Sequence, residues 1–474
     1  MKNMKKVLSI LLSILLLASV CAVPAGAASV WDSFWADSEE AARGIIMQPG
    51  ADETERNFSW YMSAEVTTCS VLIDDEPTMT DAAVFNGTII DSYQGDKVAK
   101  VTVTDLELGE TYYYACVSGA EQSDVYSFET VEADSFSALY ISDIHISGDN
   151  RDAVQETAYA FADLLNDANT RANLNLILSA GDQASSGLRT EYEGLTFSPL
   201  TRSLSFATSI GNHDRKGVDY RYFTNLPNET EGKVASYQGG DYYFVKGDVL
   251  FLFVDSNNAS GTDHYNFIKN AVEANENCKW RVVVMHHDLY GATIEHRESE
   301  NDLLRLLYSP IMDEFNIDLA LLGHSHHYSV TDVVYNGKSV NALANGATVE
   351  NAQGTVYMVS ASVTRPRDPE GEISYGDLIA IGMDEYTDRL YSVIDFSSDA
   401  VTVTTYEVGK EEAHVSFTLT KTDDSEAPAF SFFRKLFAKL VNFIGTVYAV
   451  FNNIGQYSDF KEDGFDVPFF DVIF

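Results

Sequence analysis

Five short segments of the chain set polar residues of metal-ligating type directly behind apolar runs of strand length. They are Asp143-Ile144-His145 after Leu139-Tyr140-Ile141, Gly181-Asp182 after Leu176-Ile177-Leu178, and Gly211-Asn212-His213-Asp214 after residues 207–210. His286-His287 follows Val282-Val283-Val284-Met285, and Gly323-His324-Ser325-His326 follows residues 319–322. In an open α/β sheet, residues just past the carboxyl ends of neighbouring strands line the crevice where ligands bind. Asp143, His145, Asp182, Asn212, His286, His324 and His326 together offer hard oxygen and imidazole donors. That set suits Fe, Mn or Zn better than Ca or a thiolate-seeking metal. It also exceeds what one ion with open positions needs, so the pattern predicts two divalent ions sharing a carboxylate. Spacing leaves open which of His286 and His287 turns inward.

The elements that must carry these segments follow from periodicity. After Val131, strand-length apolar runs alternate with stretches of helical period, which predicts a layered α/β domain. Helices are expected at Asp152–Asn166, with Val154, Ala158, Phe161 and Leu165 on one stripe, at Tyr265–Asn275, and at Asp302–Phe315. Val245 and Val249 flank Gly247-Asp248, the turn of an expected hairpin. Strands return between Leu378 and Leu419, so this domain is expected to span 132–422. Upstream, Phe58–Met62, Cys69–Ile73, Val98–Val103 and Thr111–Val117 are rich in β-branched and aromatic residues between turn-forming stretches, the pattern of a small all-β sandwich within 28–131.

The ends read differently. Lys2, Lys5 and Lys6 precede an apolar run from Val7 to Val20 and a small-residue site at Ala25-Gly26-Ala27, which predicts a secretory signal peptide over 1–27 and an exported chain, secreted or held at the cell surface. Residues 423–474 hold a Phe-rich stretch with Arg434, Lys435 and Lys439, then an acidic and aromatic tail. The stretch reads as an amphipathic helix, packed on the body or in contact with a membrane or envelope. The chain has 474 residues and a formal net charge of −40, from 31 basic and 71 acidic residues. Such a charge repels phosphate backbones and excludes a nucleic-acid-coating role. With Cys21 removed, Cys69, Cys116 and Cys278 are too few for a disulfide scaffold. The lone His264, His296 and His414 read as solvated or capping residues.

The order Asp-x-His, Gly-Asp, Gly-Asn-His-Asp, His, Gly-His-x-His resembles the calcineurin-like metallophosphoesterases. With Leu106-Glu107-Leu108-Gly109-Glu110-Thr111-Tyr112-Tyr113-Tyr114 in front, the chain is most similar to the purple acid phosphatases, whose fibronectin-type sandwich carries such a segment; Leu108 stands where that pattern has proline. The resemblance implies an α/β (α+β) four-layer sandwich, two mixed sheets flanked by helices. It implies a hydrolase of phosphoric ester bonds, acid phosphatase-like, with small-molecule phosphate esters as substrates. Carried over by motif, Asp143, His145 and His326 would hold one metal, Asn212, His286 and His324 the other, and Asp182 would bridge them. A metal-held hydroxide would attack phosphorus, with His213 protonating the leaving group and Asp214 orienting His213.

One departure is informative. Purple acid phosphatases resemble each other in a tyrosine three residues after the bridging aspartate, where this chain has Ser185, and in a glycine where it has His145. Losing the anionic phenolate favours two divalent ions and a colourless protein. Leaving-group specificity is expected from 185–203 and 288–301. The competing functions are a phosphodiesterase or nucleotide hydrolase of the same fold, and a non-catalytic surface binding protein with a structural metal site.

Overall fold

The computed structural model describes residues 29–37, 42–132, 135–230, 239–291, 294–367, 375–382, 389–422 and three positions near 440, with the side chains of 294–300 excluded. The expected signal peptide, almost all of the C-terminal stretch, its tail and the His296 side chain lie outside these residues. A first compact unit ends at Glu40 and contains the helix Val30–Asp37, started by Ser29, whose Oγ accepts the Asp32 N–H at 3.0 Å. Among the described residues, no helix is long and apolar enough to cross a membrane.

The second unit starts at Ala41 and begins with two antiparallel sheets. One orders Arg43–Pro49, Arg56–Met62, Lys97–Val103 and Thr88–Asp91; the other orders Ala83–Asn86, Cys69–Asp74, Thr111–Ser118 and Glu121–Gln122, with Tyr126–Glu129 also on Thr111–Ser118. Alternate residues of both sheets, Phe58, Trp60, Val71, Val101, Tyr114 and Phe128 among them, fill the space between. Cys69 and Cys116 sit in this core as free thiols.

Downstream, two mixed sheets pack face to face. The first orders Ser205–Thr208, Leu174–Ser179, Ser135–Ile141, Leu390–Ser397, Ala400–Glu407, Val415–Thr420 and Thr348–Glu350. The second runs Tyr242–Lys246, Val249–Val254, Trp280–Met285, Leu319–Leu322, Thr355–Val359, Ser329–Tyr335 and Lys338–Asn341. In each, the strands leading to the predicted motifs are mutually parallel and antiparallel strands flank them. The period of two sends Ala138, Tyr140, Leu176 and Leu178 of one sheet against Phe251, Phe253, Val282, Val284 and Leu321 of the other. Leu250, Leu252, Val283, Met285 and Ala320 face the opposite way, onto helices Gly261–Ala274 and Ile294–Glu314. Burial on both faces explains why these strands read as unbroken apolar runs. The four-layer sandwich is the fold the motif order implies.

The Gly247-Asp248 hairpin forms, pairing Val245 with Leu250. Helix limits shift for local reasons. The first helix runs Gln155–Arg171, because Asn150 Oδ1 accepts the N–H groups of Asp152 and Ala153 in a preceding turn, while Ala168 prolongs the buried stripe. The second is Gly261–Ala274 and the third starts earlier, at Ile294, and continues through Pro310.

The all-β part bears directly on the segment that carries Asn212 and His213. Arg189 pairs with Asp96 and lies 4.1 Å over the Tyr61 ring, Tyr114 Oη donates to Arg202 O at 2.8 Å, and Asn57 Nδ2 donates to Asn225 O at 2.9 Å. Lys246 Nζ meets Glu53 Oε2 at 2.5 Å. These contacts hold the chain on either side of the Gly211–Asp214 loop, at Arg189 and Arg202 before it and at Asn225 and Lys246 after it, against the all-β part.

Candidate metal centre

The parallel strands end at one edge of the sandwich, and their loops are tied to each other by the backbone. Asp143 N donates to Gly181 O at 3.0 Å, His145 N to Asp182 O at 2.9 Å, and Gly323 N to His286 O at 2.9 Å. Tyr140, on the strand leading to Asp143, crosses the sandwich: its hydroxyl meets the Leu322 carbonyl and accepts the Leu322 N–H at 2.9 Å. His324 N then donates to Asp143 Oδ2 at 2.8 Å, so the two sheets are locked where the ligand loops begin.

These loops are also strained. Among the described residues, twelve other than glycine have positive φ, and five of them are Asp143, His145, Asp182, His324 and His326, at 51–74°. Such conformations cost about 1–3 kcal/mol each and persist where surrounding structure over-determines them. Two glycines permit the close approach: a Cβ on Gly211 would lie 2.0 Å from Asp182 Oδ1, and one on Gly323 1.9 Å from Ser142 Oγ.

The side chains converge on Asp182. His286 Nε2 lies 3.3 Å and His145 Nε2 3.6 Å from the same oxygen, Oδ2. On one side His145 Nε2 and His326 Nε2 are 3.0 Å apart, with Asp143 Oδ1 3.2 Å from His326. Asp143, His145, Asp182 and His326 have donor atoms all within 4.8 Å of each other. On the other side His286 Nε2 is 3.0 Å from Asn212 Oδ1 and 3.2 Å from His324 Nδ1. All seven predicted donors therefore meet in one place, in two groups that share Asp182.

The donor chemistry fits cations. Asp143 Oδ1 is buried and takes no well-directed hydrogen bond, although Oδ2 accepts from Ser142 and His324. His286 Nδ1 faces Ala180 O at 2.9 Å and His326 Nδ1 faces Arg365 O at 3.1 Å; a carbonyl accepts only, so each Nδ1 carries a proton and Nε2 is the nitrogen turned inward, able to bind a cation once it holds no proton of its own. Burial would raise the pKa values of Asp143 and Asp182, but the facing imidazoles, His326 for Asp143 and His286 for Asp182, hold both below the usual carboxylate range. Burial pushes His145 down to about 3 against the pull of Asp182, whereas for His286 burial is overcome by Asp182, Asp143 and the Ala180 carbonyl together, which lift it to about 10. Two buried carboxylates held ionised against one imidazolium call for further positive charge.

His287 turns away. Ser256 Oγ accepts its N–H at 3.0 Å and contacts its Nδ1 at 2.8 Å, which leaves His286 as the imidazole facing Asp182. His213 sits beside the first group, its ring centroid 4.7 Å from that of His145, with Nδ1 2.7 Å from Ser185 O and its N–H donating to Asp182 Oδ1 at 2.8 Å.

Asp214 corrects the expectation that it orients His213. Its Oδ1 accepts Ala184 N at 3.0 Å and Tyr192 Oη at 2.8 Å, and its Oδ2 accepts Gly211 N at 2.9 Å and Gln183 N at 3.3 Å. The carboxylate is fully occupied by four donors, and the partners at the His213 ring are the Ser185 carbonyl and Lys216 Nζ, each 2.7 Å from Nδ1. Burial, then Asp182, pushes Asp214 up to about 7 while these donors pull it down. His264 is a second correction: it is buried, its Nδ1 2.7 Å from Asp241 Oδ2 and its Nε2 2.7 Å from Asn258 O, an interior ion pair in place of a solvated ring.

Two further parallel strand ends contribute residues that the motifs do not include. The loop after Val254 supplies Ser256. The loop after Val359 straps both ligand loops, with Ser362 Oγ donating to Asp143 O at 2.7 Å, Thr364 Oγ1 to Ile144 O at 2.7 Å and Arg367 N to His326 O at 3.2 Å. The signal was present: each follows an apolar run, as the five motifs do, but serines and threonines there lack metal-ligating side chains.

Comparison with known proteins agrees with this architecture. The calcineurin-like phosphoesterase family profile matches residues 136–328, and that of the purple acid phosphatase N-terminal domain matches 42–130. A purple acid phosphatase from yellow lupin (Lupinus luteus) seeds, named PPD1, superposes with a TM-score of 0.66 at 13% identity, over 83% of this chain and 78% of that one. PhoD superposes at 0.53 with 11% identity, over 85% and 98%. Among curated proteins of Arabidopsis thaliana, "Probable inactive purple acid phosphatase 24" is 24% identical over 36% of this chain and 31% of its own length. "Probable inactive purple acid phosphatase 1" is 23% identical over 29% and 25%. The matched stretch thus spans about a third or less of those relatives. Residues 136–328 thus form a domain of the calcineurin-like phosphoesterase family, preceded over 42–130 by a domain that matches the N-terminal domain of the purple acid phosphatases.

Proposed function

We propose that the chain is an exported phosphomonoesterase that works with two divalent ions, Fe, Mn or Zn. The observation that carries this reading is that one oxygen, Asp182 Oδ2, is approached by an imidazole from each of two donor groups, 3.6 and 3.3 Å away. Asp143, His145 and His326 would hold one ion, and Asn212, His286 and His324 the other, with Asp182 shared. When bound, the ions would supply Lewis acidity toward phosphoryl oxygens and a nucleophile from water near neutral pH.

The chain's own groups do the rest. Nδ1 of His213 faces the Ser185 carbonyl and Lys216 Nζ, so Nε2 is the atom placed to hold a proton for the departing oxygen. Asp214 is a positioning residue that pins the loop after Asp182 to the loop holding Asn212 and His213. Export rests on the basic start, apolar run and small-residue site of the N-terminus, and the domains on limits near 28–131 and 132–422. A phosphodiester substrate is the variant of this reading. A non-catalytic protein that keeps the metal site is a second reading, favoured by the word inactive in the names of the two relatives.

Purified protein supplied with Mn, Zn or Fe and assayed on nitrophenyl mono- and diesters, beside Asp182→Asn and His213→Ala, decides between them. Turnover by the wild type with large losses in both variants supports the proposal. Equal activity in all three, or none in the wild type, removes it.

A further inference from the structure

Although the chain carries a formal charge of −40, the mouth of the site shows cations. Lys216 is exposed, and its Nζ lies 2.7 Å from Nδ1 and 3.2 Å from Nε2 of His213, held there by the short helical turn Asp214–Lys216. Arg365 is exposed on the strap over the ligand loops, where Thr364 is bonded to Ile144 O and Arg365 O accepts from His326. Its Nη2 contacts Ser147 Oγ at 2.8 Å, two residues beyond His145. Among the described residues, neither side chain forms an ion pair. Glu191, whose carboxylate senses the Arg365 charge, is occupied by the N–H groups of Gly148, Ser186 and Leu188. The rim runs from Arg365 through Ser147 and Ser186 to Ser185, His213 and Lys216. Neither cation lies in 185–203 or 288–301, where the sequence located specificity.

Because His213 stands on the leaving side in the proposed function, an ammonium against its ring reads the leaving group. Resting on that reading, we propose that Lys216 and Arg365 form a cationic rim selecting phosphoryl substrates, esters or anhydrides, whose leaving group carries a second anionic group, as the nucleoside monophosphate released from a nucleoside diphosphate does. A single charge-assisted hydrogen bond to such a group is worth about 1.5–3 kcal/mol, about tenfold or more in affinity.

The test compares adenosine 5′-diphosphate with 4-nitrophenyl phosphate in the metal-supplied wild type, Lys216→Met, Arg365→Met, Lys216→Arg, and Lys410→Met as a distant surface control. Pyrophosphate and phosphate are titrated calorimetrically into the same proteins. The expected result is a ratio of kcat/KM, diphosphate over nitrophenyl ester, that falls about tenfold in each Met variant, mostly through KM, and is restored in Lys216→Arg. The preference for pyrophosphate over phosphate should narrow in parallel. Ratios within twofold of wild type in both Met variants, or an equal change in Lys410→Met, overturn the rim. If the wild type turns over neither substrate while its pyrophosphate preference still depends on Lys216 and Arg365, the rim stands and the phosphoesterase reading falls.

Discussion

Replacing Asp214 by Asn separates positioning from catalysis. The carboxylate accepts four hydrogen bonds, two on each oxygen, from three backbone N–H groups and the Tyr192 hydroxyl. An amide has one acceptor oxygen, so its NH2 must face donors in either orientation. Turned toward Gly211 and Gln183 it opposes two N–H groups; turned toward Ala184 and Tyr192 it opposes one, while the hydroxyl can reverse and accept. The second orientation still leaves the buried Ala184 N–H unpaired, at about 1–3 kcal/mol, and weakens charge-assisted bonds. A loss of about 2–4 kcal/mol is expected for Asp214→Asn, against about 1 kcal/mol for Tyr192→Phe, which removes one bond. Urea unfolding in chelator measures both. Metal titration should show weaker binding in Asp214→Asn, because the loop carrying Asn212 loses its tie to the loop after Asp182. Unchanged stability and metal affinity, with activity lost and its acid limb shifted, would refute this and return Asp214 to a direct role at His213.

Three further outcomes follow from the same geometry. Burial lowers but Asp241 more than restores the basicity of His264, to about 9 from an ordinary 6.5, so its contribution is fully present below pH 6.5 and lost as pH rises through 9. Wild-type stability should drop by roughly 2–3 kcal/mol across that window beyond any drop in His264→Gln, and equal slopes would exclude the pair as the cause. Gly211→Ala drives a Cβ to 2.0 Å from Asp182 Oδ1 and should weaken metal binding more than tenfold, read by calorimetry; wild-type affinity would show that the two loops can move apart. Since the net charge of −40 opposes an anionic substrate while screening fades fields over about 8 Å, moderate salt should raise or barely change kcat/KM on a phosphomonoester. A steep fall at fixed metal would mean attractive steering.

The sequence makes the layers and the donor set legible for one physical reason: parallel strands buried on both faces read as apolar runs, and ligands must follow them. The choice between His286 and His287 is not legible, because it depends on Ser256, 31 residues from His287 in the loop after a neighbouring strand. The role carried over to Asp214 by motif, orienting His213, does not hold, because the turn after Gly211 directs its carboxylate back at the Asp182 loop. Lys216 and Arg365 carry no spacing signal, since exposed cations are placed by the loops beneath them and not by a period.

The number of divalent ions retained per chain after dialysis, in the wild type and in Asp182→Asn, tests the shared carboxylate most directly. Two per wild-type chain, and one or none once Asp182 cannot be shared, is the predicted result. A single ion in both proteins would contradict a centre built around Asp182.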